Sequence, residues 1–301
     1  MLDTHVVMNG ALTLRAQASI GVESPAFRYG AMVFEGLRVY LDDSGRPSVF
    51  RAVDHLERLR DSMRVLRFLP APTLTELRTS LLDAIDVLDV DQDAHVRYMV
   101  LVDGDGPMWS TGPLSTLIMA SGIRSTLPGV REVSGWITSW HRIDGATMPP
   151  RVKSAANYQN SRLGVLEARE AGADAALFLD RDGRLTESHG SCVLVVRDDV
   201  VATPPRTSGI LESITRDTLL RILEDAGVAV EEREVDRIEV PNADEVILCG
   251  SMAEVTALTR VGSVDLPGGE GRIASLLGRL YEDVVRGRAS RSAAWCEPIG
   301  G

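Results

Sequence analysis

Residues 29–62 read YGAMVFEGLRVYLDDSGRPSVFRAVDHLERLRDS, and this stretch decides the fold class. Residues 33–41 have the composition of a strand. A turn-rich segment at 42–45 and a short apolar run follow, which predicts a hairpin. After Asp54, apolar residues recur every three or four positions, which predicts a helix capped by Asp54. A hairpin that leads directly into a helix is typical of an α+β fold.

The rest of the chain continues this mixture of strands and helices. Helices are predicted near residues 73–88, 160–170, 213–226 and 273–286. The strands between them do not follow strict βαβ alternation, so largely antiparallel sheets are expected. The chain lacks the glycine-rich fingerprints of dinucleotide-binding and P-loop folds and the nucleophile elbow of α/β-hydrolases.

A break in periodicity predicts two domains. The segment 121–132 contains Gly122, Pro128 and Gly129, and we expect it to be an interdomain linker. A smaller N-terminal α+β domain would then span 1–120, and a larger C-terminal domain would span 133–301.

The composition excludes several classes of function. The chain of 301 residues has 43 acidic and 32 basic residues, a formal net charge of −11, which argues against binding to nucleic acid or an anionic membrane. Three cysteines without close spacing predict reduced thiols and a cytoplasmic location. The five histidines show no metal-ligand spacing, and no apolar run approaches the roughly 20 residues of a membrane span, so neither a metal nor a membrane is expected.

The basic residues contain one lysine, Lys153, and all the others are arginines. A lysine amine can lose its proton and form an imine with a carbonyl, whereas a guanidinium cannot. Lys153 is therefore a candidate nucleophile. Composition alone is equally consistent with a lysine retained by chance at the surface.

Four further sites carry groups suited to a phosphorylated ring. Glu187, in RLTESHGS, could keep a pyridine nitrogen protonated, although such carboxylates are often ordinary turn residues. Residues 209–216 run from a loop into a helix, whose first amides and hydroxyls suit a phosphate, and residues 249–256 contain a Gly-Ser turn with a second hydroxyl. Ser213 could equally be an ordinary helix cap.

Arg58 is the fourth group. Its guanidinium could hold a phosphate with two hydrogen bonds. The alternative is a pair with Asp54, Asp61 or Ser62 on the solvated face of its own helix.

These features together resemble a known family. From Tyr29 to Val261 the chain resembles the class IV (fold-type IV) pyridoxal-phosphate aminotransferases, most closely the branched-chain amino acid aminotransferases. The strings that carry the resemblance are RYGAMVFEGLRVY, FRAVDHLERLRDS, KSAANYQNSRL, LDRDGRLTES, TPPRTSGILESITRD and ADEVILCGSMAEVT. The resemblance implies a two-domain α+β fold of antiparallel and mixed sheets with flanking helices and an active site between the domains. It also implies that the larger domain binds the cofactor, pyridoxal 5′-phosphate, and that the enzyme is a homodimer.

The resemblance also implies residue roles. Lys153 would be the Schiff-base lysine and the acid/base, Glu187 would pair with the pyridine nitrogen, and Tyr158 would hydrogen-bond the ring oxygen O3′. The residues expected to hold the phosphate are Arg58, Ile214, Thr215 and Ser251. The residues expected on the substrate side are Tyr29, Phe34, Gly36, Arg38, His95, Arg97, Arg124, Met252 and Ala253.

The chain departs from the family pattern around the substrate. His95 stands where branched-chain enzymes usually carry tyrosine, and the linker contributes Arg124 in place of aromatic residues. Altered pocket walls change which substrate binds without changing the imine chemistry. We therefore expect transamination between a branched-chain-like or related hydrophobic amino acid and a 2-oxo acid such as 2-oxoglutarate, with a donor or acceptor that differs from plain leucine, isoleucine or valine.

Other activities stay open at this point. Within the family these are a D-amino acid or (R)-amine aminotransferase and an aminodeoxychorismate lyase-like enzyme. The FEGLR string and Arg97 favour the branched-chain type. An inactive cofactor-binding module is the alternative from another class, and the presence of Lys153, Tyr158 and Glu187 argues against it.

Overall fold

The structure is a computed structural model that describes residue 2 and residues 4–299. Up to residue 125 its strands are β1 (His5–Met8), β2 (Ala11–Leu14), β3 (Met32–Leu41), β4 (Pro47–Phe50), β5 (Ala94–Val102) and β6 (Leu114–Gly122). The helices of the same region are α1 (Pro25–Tyr29), α2 (Ala52–Val65) and α3 (Leu74–Val87).

The strands of the remaining chain are β7 (Arg131–His141), β8 (Ala175–Leu179), β9 (Leu185–Ser188), β10 (Cys192–Arg197), β11 (Val200–Thr203), β12 (Val230–Glu232), β13 (Glu245–Gly250), β14 (Glu254–Val261), β15 (Val264–Asp265) and β16 (Cys296–Pro298). Its helices are α4 (Tyr158–Glu170), α5 (Ile214–Asp225), α6 (Arg272–Val285) and α7 (Ser292–Trp295). Short 3-10 helices occur at Ala155–Asn157, Arg237–Glu239 and Gly268–Glu270. In the described part of the chain, none of the helices has the length and apolar character needed to cross a membrane.

The chain divides into two compact units. The first unit comprises residues 1–125, 152–156 and 284–301, and the second comprises 126–151 and 157–283. Strand β16 belongs to the first unit because it pairs with β4, and Ser154 does because it forms a bridge with Val33 of β3. The linker at 121–132 and the domain ranges 1–120 and 133–301 remain predictions from sequence.

The first unit is built on an antiparallel sheet with helices packed on it. Seven of the described strands form this sheet in the order β16-β4-β3-β5-β6-β1-β2. Helix α2 contacts both β3 and α3. The core is formed by alternate residues of β3 and by residues of α2 spaced three or four apart, as the two periodicities require. These residues include Val33, Leu37, Val39, Leu56, Leu59 and Met63.

The start of α2 differs from the prediction. The helix was expected to be capped by Asp54, and this is wrong: the N-cap is Arg51, whose φ of +48° is left-handed. Asp54 lies within the first turn, where it forms an ion pair of 2.9 Å with Arg51. A carboxylate in the first turn is stabilised by the positive end of the helix dipole, so Asp54 favours this helix start without being its cap.

The second unit is built on a mixed sheet. Its strands run in the order β12-β11-β10-β13-β14-β7-β8-β9, with β15 paired to β14. The parallel pairs are β7–β8, β11–β12 and β14–β7. Helix α4 connects β7 to β8, and α5 connects β11 to β12, because parallel strands need such crossovers. The predicted α+β class with antiparallel and mixed sheets and flanking helices is confirmed.

Candidate active site

Lys153 is held by its backbone in the first unit. Its N–H donates to Ser62 Oγ on α2 at 3.2 Å, and its carbonyl accepts from Phe34 N on β3 at 3.0 Å. The half-buried side chain places Nζ 5.0 Å from the centroid of the Phe34 ring. The one lysine of the chain is therefore carried by a backbone tied to both a strand and a helix, which brings Lys153 and Phe34 together.

Arg58 forms an ion pair with the buried Glu35. Arg58 Nε donates to Glu35 Oε1 at 2.7 Å and Nη2 donates to Oε2 at 2.8 Å, so the contact is bidentate. His55 Nδ1 lies 2.7 Å from Glu35 Oε2. Two hypotheses for Arg58 came from the sequence, phosphate binding or a pair with a residue of its own helix. The bidentate partner of Arg58, Glu35, lies instead on β3.

The charge states of this cluster follow from its contacts. Burial alone would raise the pKa of Glu35, but the Arg58 guanidinium and the hydrogen bonds from Arg58 and His55 outweigh it, so the pKa lies well below 4.5. Burial lowers the pKa of His55 below 6.5 despite the opposing effect of Glu35. Near pH 7 Glu35 is therefore ionised and His55 neutral, which requires His55 Nδ1 to carry the proton that it donates to the carboxylate.

Four predicted substrate-side residues share one face of the first sheet. Gly36 pairs with Arg97, and Arg38 pairs with His95, across β3 and β5. Directly opposed residues of antiparallel strands point to the same side, so the sheet brings these four together.

His95 occupies space that Gly36 leaves open. A Cβ at Gly36 would lie 2.7 Å from His95 Nε2, so a larger residue at position 36 would displace the imidazole. Burial lowers the pKa of His95 to about 3, with further contributions from Arg97 and Arg38. The face therefore presents a neutral imidazole between two arginines near pH 7.

Tyr29 and Arg124 are exposed parts of the first unit. Tyr29 is the last residue of α1, and its ring centroid lies 5.1 Å from the Arg28 guanidinium carbon. Arg124 lies beyond the end of β6 and is exposed. The geometry of the first unit adds no direct support to their predicted roles.

Glu187 is a buried carboxylate of the second unit. It lies in β9, and its Oε1 forms an ion pair of 2.6 Å with Arg142 Nη2, while Oε2 accepts from Leu211 N at 3.0 Å. Arg142 is itself held by Asn160 Oδ1 at 3.0 Å and Ser161 Oγ at 3.3 Å, both on α4. The carboxylate is thus fixed by an arginine on one side and a backbone amide on the other.

Helix α5 begins at Ile214, shortly after Leu211, whose backbone N–H donates to Glu187. Ile214 is the first residue of the helix, and Ser213 is the N-cap, with its Oγ accepting from Arg216 N at 3.2 Å. Ser213 as a cap is therefore confirmed, and Ile214 and Thr215 lie in the first turn of the helix, whose N-terminal dipole favours an anion. Because Leu211 bonds to Glu187, the structure brings Glu187 and the start of α5 to one region of the second unit.

The turn of Ser251, Met252 and Ala253 connects β13 to β14. Its shape is supported by Thr256 Oγ1, which donates to the Ala253 carbonyl at 2.6 Å. Glu254, the next residue, is buried with a left-handed φ of +48°. Met252 is exposed, while Ser251 and Ala253 are partly buried.

Tyr158 begins α4. The helix was predicted from about residue 160, and the structure starts it two residues earlier, directly after the 3-10 helix Ala155–Asn157. The Tyr158 side chain is partly buried.

The sequence reasoning missed the residues that hold the predicted ones in place. They are Glu35, His55, Ser62, Arg142 and Leu211. Only Glu35 gave a local signal: it falls in the alternating stripe of Val33, Leu37 and Val39, and a charge in a stripe that faces the core requires a partner.

The residues present fit pyridoxal 5′-phosphate. The aldehyde needs an amine, which Lys153 has, and the phosphate needs the kind of donors found at Arg58, the first turn of α5 and Ser251. The ring nitrogen needs an ionised carboxylate. Glu187 uses two of its about four lone-pair positions on Arg142 and Leu211, so it retains the capacity to accept from a further donor.

The chain matches known proteins over nearly its whole length. The family model "Amino-transferase class IV" matches residues 32–261. The branched-chain-amino-acid aminotransferase of Salmonella typhimurium is 31% identical over 304 residues, which cover 98% of this chain and 97% of that protein. The enzyme of the same name from Escherichia coli K12 is 31% identical over 284 residues, covering 92% and 91%.

Solved structures show the same similarity. The branched-chain amino acid aminotransferase of Thermobaculum terrenum in its pyridoxal-phosphate form has a TM-score of 0.92 and 34% identity, covering 99% of both chains. The Escherichia coli enzyme has a TM-score of 0.90 and 29% identity, covering 98% of this chain and 99% of the other. With a matching family model, these full-length relatives and the fit of its residues to the cofactor, the chain belongs to the class IV aminotransferases, enzymes that transfer amino groups with pyridoxal phosphate.

Proposed function

We propose that the protein transfers the amino group of a branched-chain-like or related hydrophobic amino acid to a 2-oxo acid such as 2-oxoglutarate. The relatives support this substrate class: solved structures include a branched-chain aminotransferase from Thermoproteus uzoniensis with norvaline, and another branched-chain amino acid aminotransferase complexed with N-(5′-phosphopyridoxyl)-L-glutamate. The observation that carries the chemistry is the placement of the one lysine, with its backbone tied to Ser62 and Phe34.

Each proposed group has one task. Bound pyridoxal phosphate supplies an electron sink for the charge left when the substrate loses its α-proton. Lys153 Nζ takes that proton from Cα and returns it at C4′ of the cofactor, which an amine can do because it alternates between neutral and charged forms. Glu187 holds the proton on the ring nitrogen, and Tyr158 donates to O3′.

The phosphate and substrate groups are bound by residues that do not react. Arg58, Ser251 and the first turn of α5, with Ile214 and Thr215, hold the phosphate. The amides of the turn at Met252 and Ala253 and the face of Gly36, Arg38, His95 and Arg97 position the substrate, with Tyr29, Phe34 and Arg124 at its margin. The neutral His95 imidazole beside Gly36 supports a preference that differs from plain leucine, isoleucine or valine.

A spectroscopic screen tests the substrate class. Holoenzyme would be mixed singly with L-amino acids, D-amino acids and amines, and conversion of the cofactor followed by absorbance. We expect conversion with hydrophobic L-amino acids. Conversion only by D-amino acids or by amines would contradict the proposal and favour the corresponding other activity of the family.

Reductive trapping tests the role of Lys153. Borohydride treatment of the holoenzyme, followed by peptide mass analysis, should label Lys153, and Lys153→Ala should abolish both labelling and the absorbance change. Arg60→Lys is the matched control, because it adds an amine at an exposed position of α2 that should stay unlabelled. Turnover by Lys153→Ala would contradict the mechanism.

We also propose a cytoplasmic homodimer. The cysteines Cys192, Cys249 and Cys296 are free thiols, which suits a reducing compartment. The resemblance to the family implies the homodimer, and the first unit exposes the large apolar side chains of Phe27, at 65%, and Trp109, at 79%. Light scattering should give twice the mass of the chain, and a monomer at micromolar concentration would contradict the proposal.

A further inference from the structure

Glu35, His55 and Arg58 form a cluster, the Glu35 cluster, in which no predicted role explains Glu35 or His55. Glu35 is fully buried, and its two carboxylate oxygens receive three hydrogen bonds of 2.7–2.8 Å from two side chains. Its neighbours at alternate positions of β3, Val33 and Leu37, are apolar core residues. A carboxylate in this stripe is costly to bury, so the fold is not stabilised by having Glu35 in place of a valine or leucine.

The two hydrogen bonds to Glu35 restrict the orientation of the Arg58 guanidinium. A bidentate contact through Nε and Nη2 restricts the plane of the guanidinium, which otherwise has large rotamer freedom. Of the two charged partners, only Arg58 retains exposure, at 13% of its side chain against 0% for Glu35. In this ion pair the Glu35 side chain is therefore fully buried, whereas the Arg58 side chain remains partly accessible.

The cluster also lies on the part of α2 that supports Lys153. His55, Arg58 and Ser62 are spaced three and four residues apart, which places them on one side of the helix. Ser62 accepts the hydrogen bond from Lys153 N, and the charge of Lys153 contributes to the lowered pKa of His55. Helix α2 therefore carries Arg58 and also binds the backbone of Lys153 through Ser62.

We propose that Glu35, supported by His55, is a positioning residue that orients Arg58 for the phosphate of the cofactor. It touches neither cofactor nor substrate and acts through the guanidinium plane. His55 donates from Nδ1 to the same carboxylate and keeps it in the rotamer that meets Arg58. This inference rests on the proposed function, in which Arg58 binds the phosphate.

The test compares pyridoxal phosphate with pyridoxal, which has the same aldehyde and ring but no phosphate. Apoenzyme of wild type and of Glu35→Gln is titrated with each, and the dissociation constants are read from absorbance. Glu35→Gln should weaken binding of pyridoxal phosphate by about tenfold or more, because one oxygen acceptor is replaced by an amide donor that faces the guanidinium. Binding of pyridoxal should change by less than about twofold.

Two further variants make the result decisive. Glu57→Gln removes a carboxylate from the exposed side of α2 and should leave both constants unchanged. Glu35→Asp keeps the charge but shortens the reach, and it replaces Glu35→Gln if that variant does not fold; it should also weaken pyridoxal phosphate selectively.

The outcomes separate this inference from the function on which it rests. If wild type binds pyridoxal phosphate and the variants weaken both ligands equally, or neither, the positioning role is overturned while the proposed function stands. If wild-type apoenzyme binds pyridoxal phosphate no better than pyridoxal, the phosphate site itself is overturned.

Discussion

Each unit of the molecule contains an arginine paired with a buried carboxylate, and the two pairs differ in which member is the proposed cofactor ligand. In the first unit Glu35 is enclosed and Arg58 retains exposure, with a contact of 2.7 Å. In the second unit Glu187 and Arg142 are both nearly enclosed, at 6% and 7%, with a contact of 2.6 Å. The proposed cofactor ligand is the arginine in the first pair and the carboxylate in the second.

Which member of each pair is the proposed ligand follows from the charge of the cofactor group that the pair would bind. A phosphate requires a fixed cation, whereas a protonated ring nitrogen requires a fixed anion. In both units the partner of opposite charge compensates the charge of the proposed ligand residue and restricts its orientation. The third contact differs: Glu35 receives an imidazole hydrogen bond, while Glu187 receives the amide of Leu211, which ties it to the chain entering α5.

The largest expected effect comes from breaking the second pair. Arg142→Met leaves Glu187 buried without its countercharge, and we expect the free energy of unfolding of the apoprotein to fall by about 3–5 kcal/mol. Denaturant titration measures this. Arg162→Met, on the exposed side of α4, is the matched control and should change stability by about 0.5 kcal/mol or less. A loss below about 1 kcal/mol for Arg142→Met would show that the pair is not compensated as described.

Neutralising the carboxylate of each pair should separate the two pairs functionally. Glu187→Gln removes the anion that would hold the ring-nitrogen proton, and we expect kcat to fall roughly 10²-fold at saturating cofactor. Glu35→Gln should keep kcat within about threefold under the same saturation, because its effect is on cofactor affinity. Equal losses of kcat in the two variants would remove the distinction between the pairs.

Acid should destabilise the apoprotein through histidines whose pKa is lowered in the folded state. In the first unit these are His55 and His95, and in the second unit it is the partly buried His189. The pKa of His95 is lowered from 6.5 to about 3, and burial also lowers that of His189. Below pH 6.5 the unfolded chain takes up protons that the folded chain does not, so stability is lost as the pH falls.

His95 and His189 differ in burial and in their charged surroundings, which orders the expected effects. His95→Asn should remove about 2 kcal/mol of the stability lost between pH 7 and pH 5. His189→Asn should remove less, because His189 is only partly buried and faces one arginine, Arg169, whereas His95 is buried and faces Arg97 and Arg38. Thermal or denaturant unfolding at both pH values checks this. An unchanged pH profile in His95→Asn would show that its imidazole is already protonated in the folded state near pH 5.

The smallest effect is expected at a close approach behind Arg142. Gly164 of α4 lies against the Phe178 ring, which in turn lies 5.7 Å from the Arg142 guanidinium carbon. Gly164→Ala should cost about 1 kcal/mol of unfolding free energy, because the added methyl group overlaps a fully buried ring while alanine is the better helix former. Gly145→Ala, where a Cβ would meet nothing within 4 Å, should be close to neutral in the same measurement. Equal effects would argue that the α4 packing adapts.

Local patterns predicted the elements well where side-chain spacing alone decides them. The composition of residues 33–41 predicted β3, the spacing of Leu56, Leu59 and Met63 predicted α2, and of the two interpretations of Ser213 the helix cap was correct. Asp54 failed as a cap because Arg51 could adopt a left-handed conformation three residues earlier. Helix starts depend on such small local differences in energy, which composition does not resolve.

Ion-pair partners were the least predictable feature of the candidate site. Arg58 had three candidate partners on its own helix, and its bidentate contact instead goes to Glu35, which comes 23 residues earlier in the chain. Arg142 and Glu187 are 45 residues apart, from position 142 to position 187, and no spacing rule connects them.

The sequence by itself determined which chemical groups the protein has and on which elements they lie. It contains a single side-chain amine at Lys153, a carboxylate at Glu187 and a helix start at Ser213, and together with the neighbouring motifs these were enough to indicate the family. The tertiary structure alone decided which charges face each other and which are enclosed, as at Glu35. The reason is physical: charge pairing is strong only where water is excluded, and water is excluded by elements that are distant in the chain.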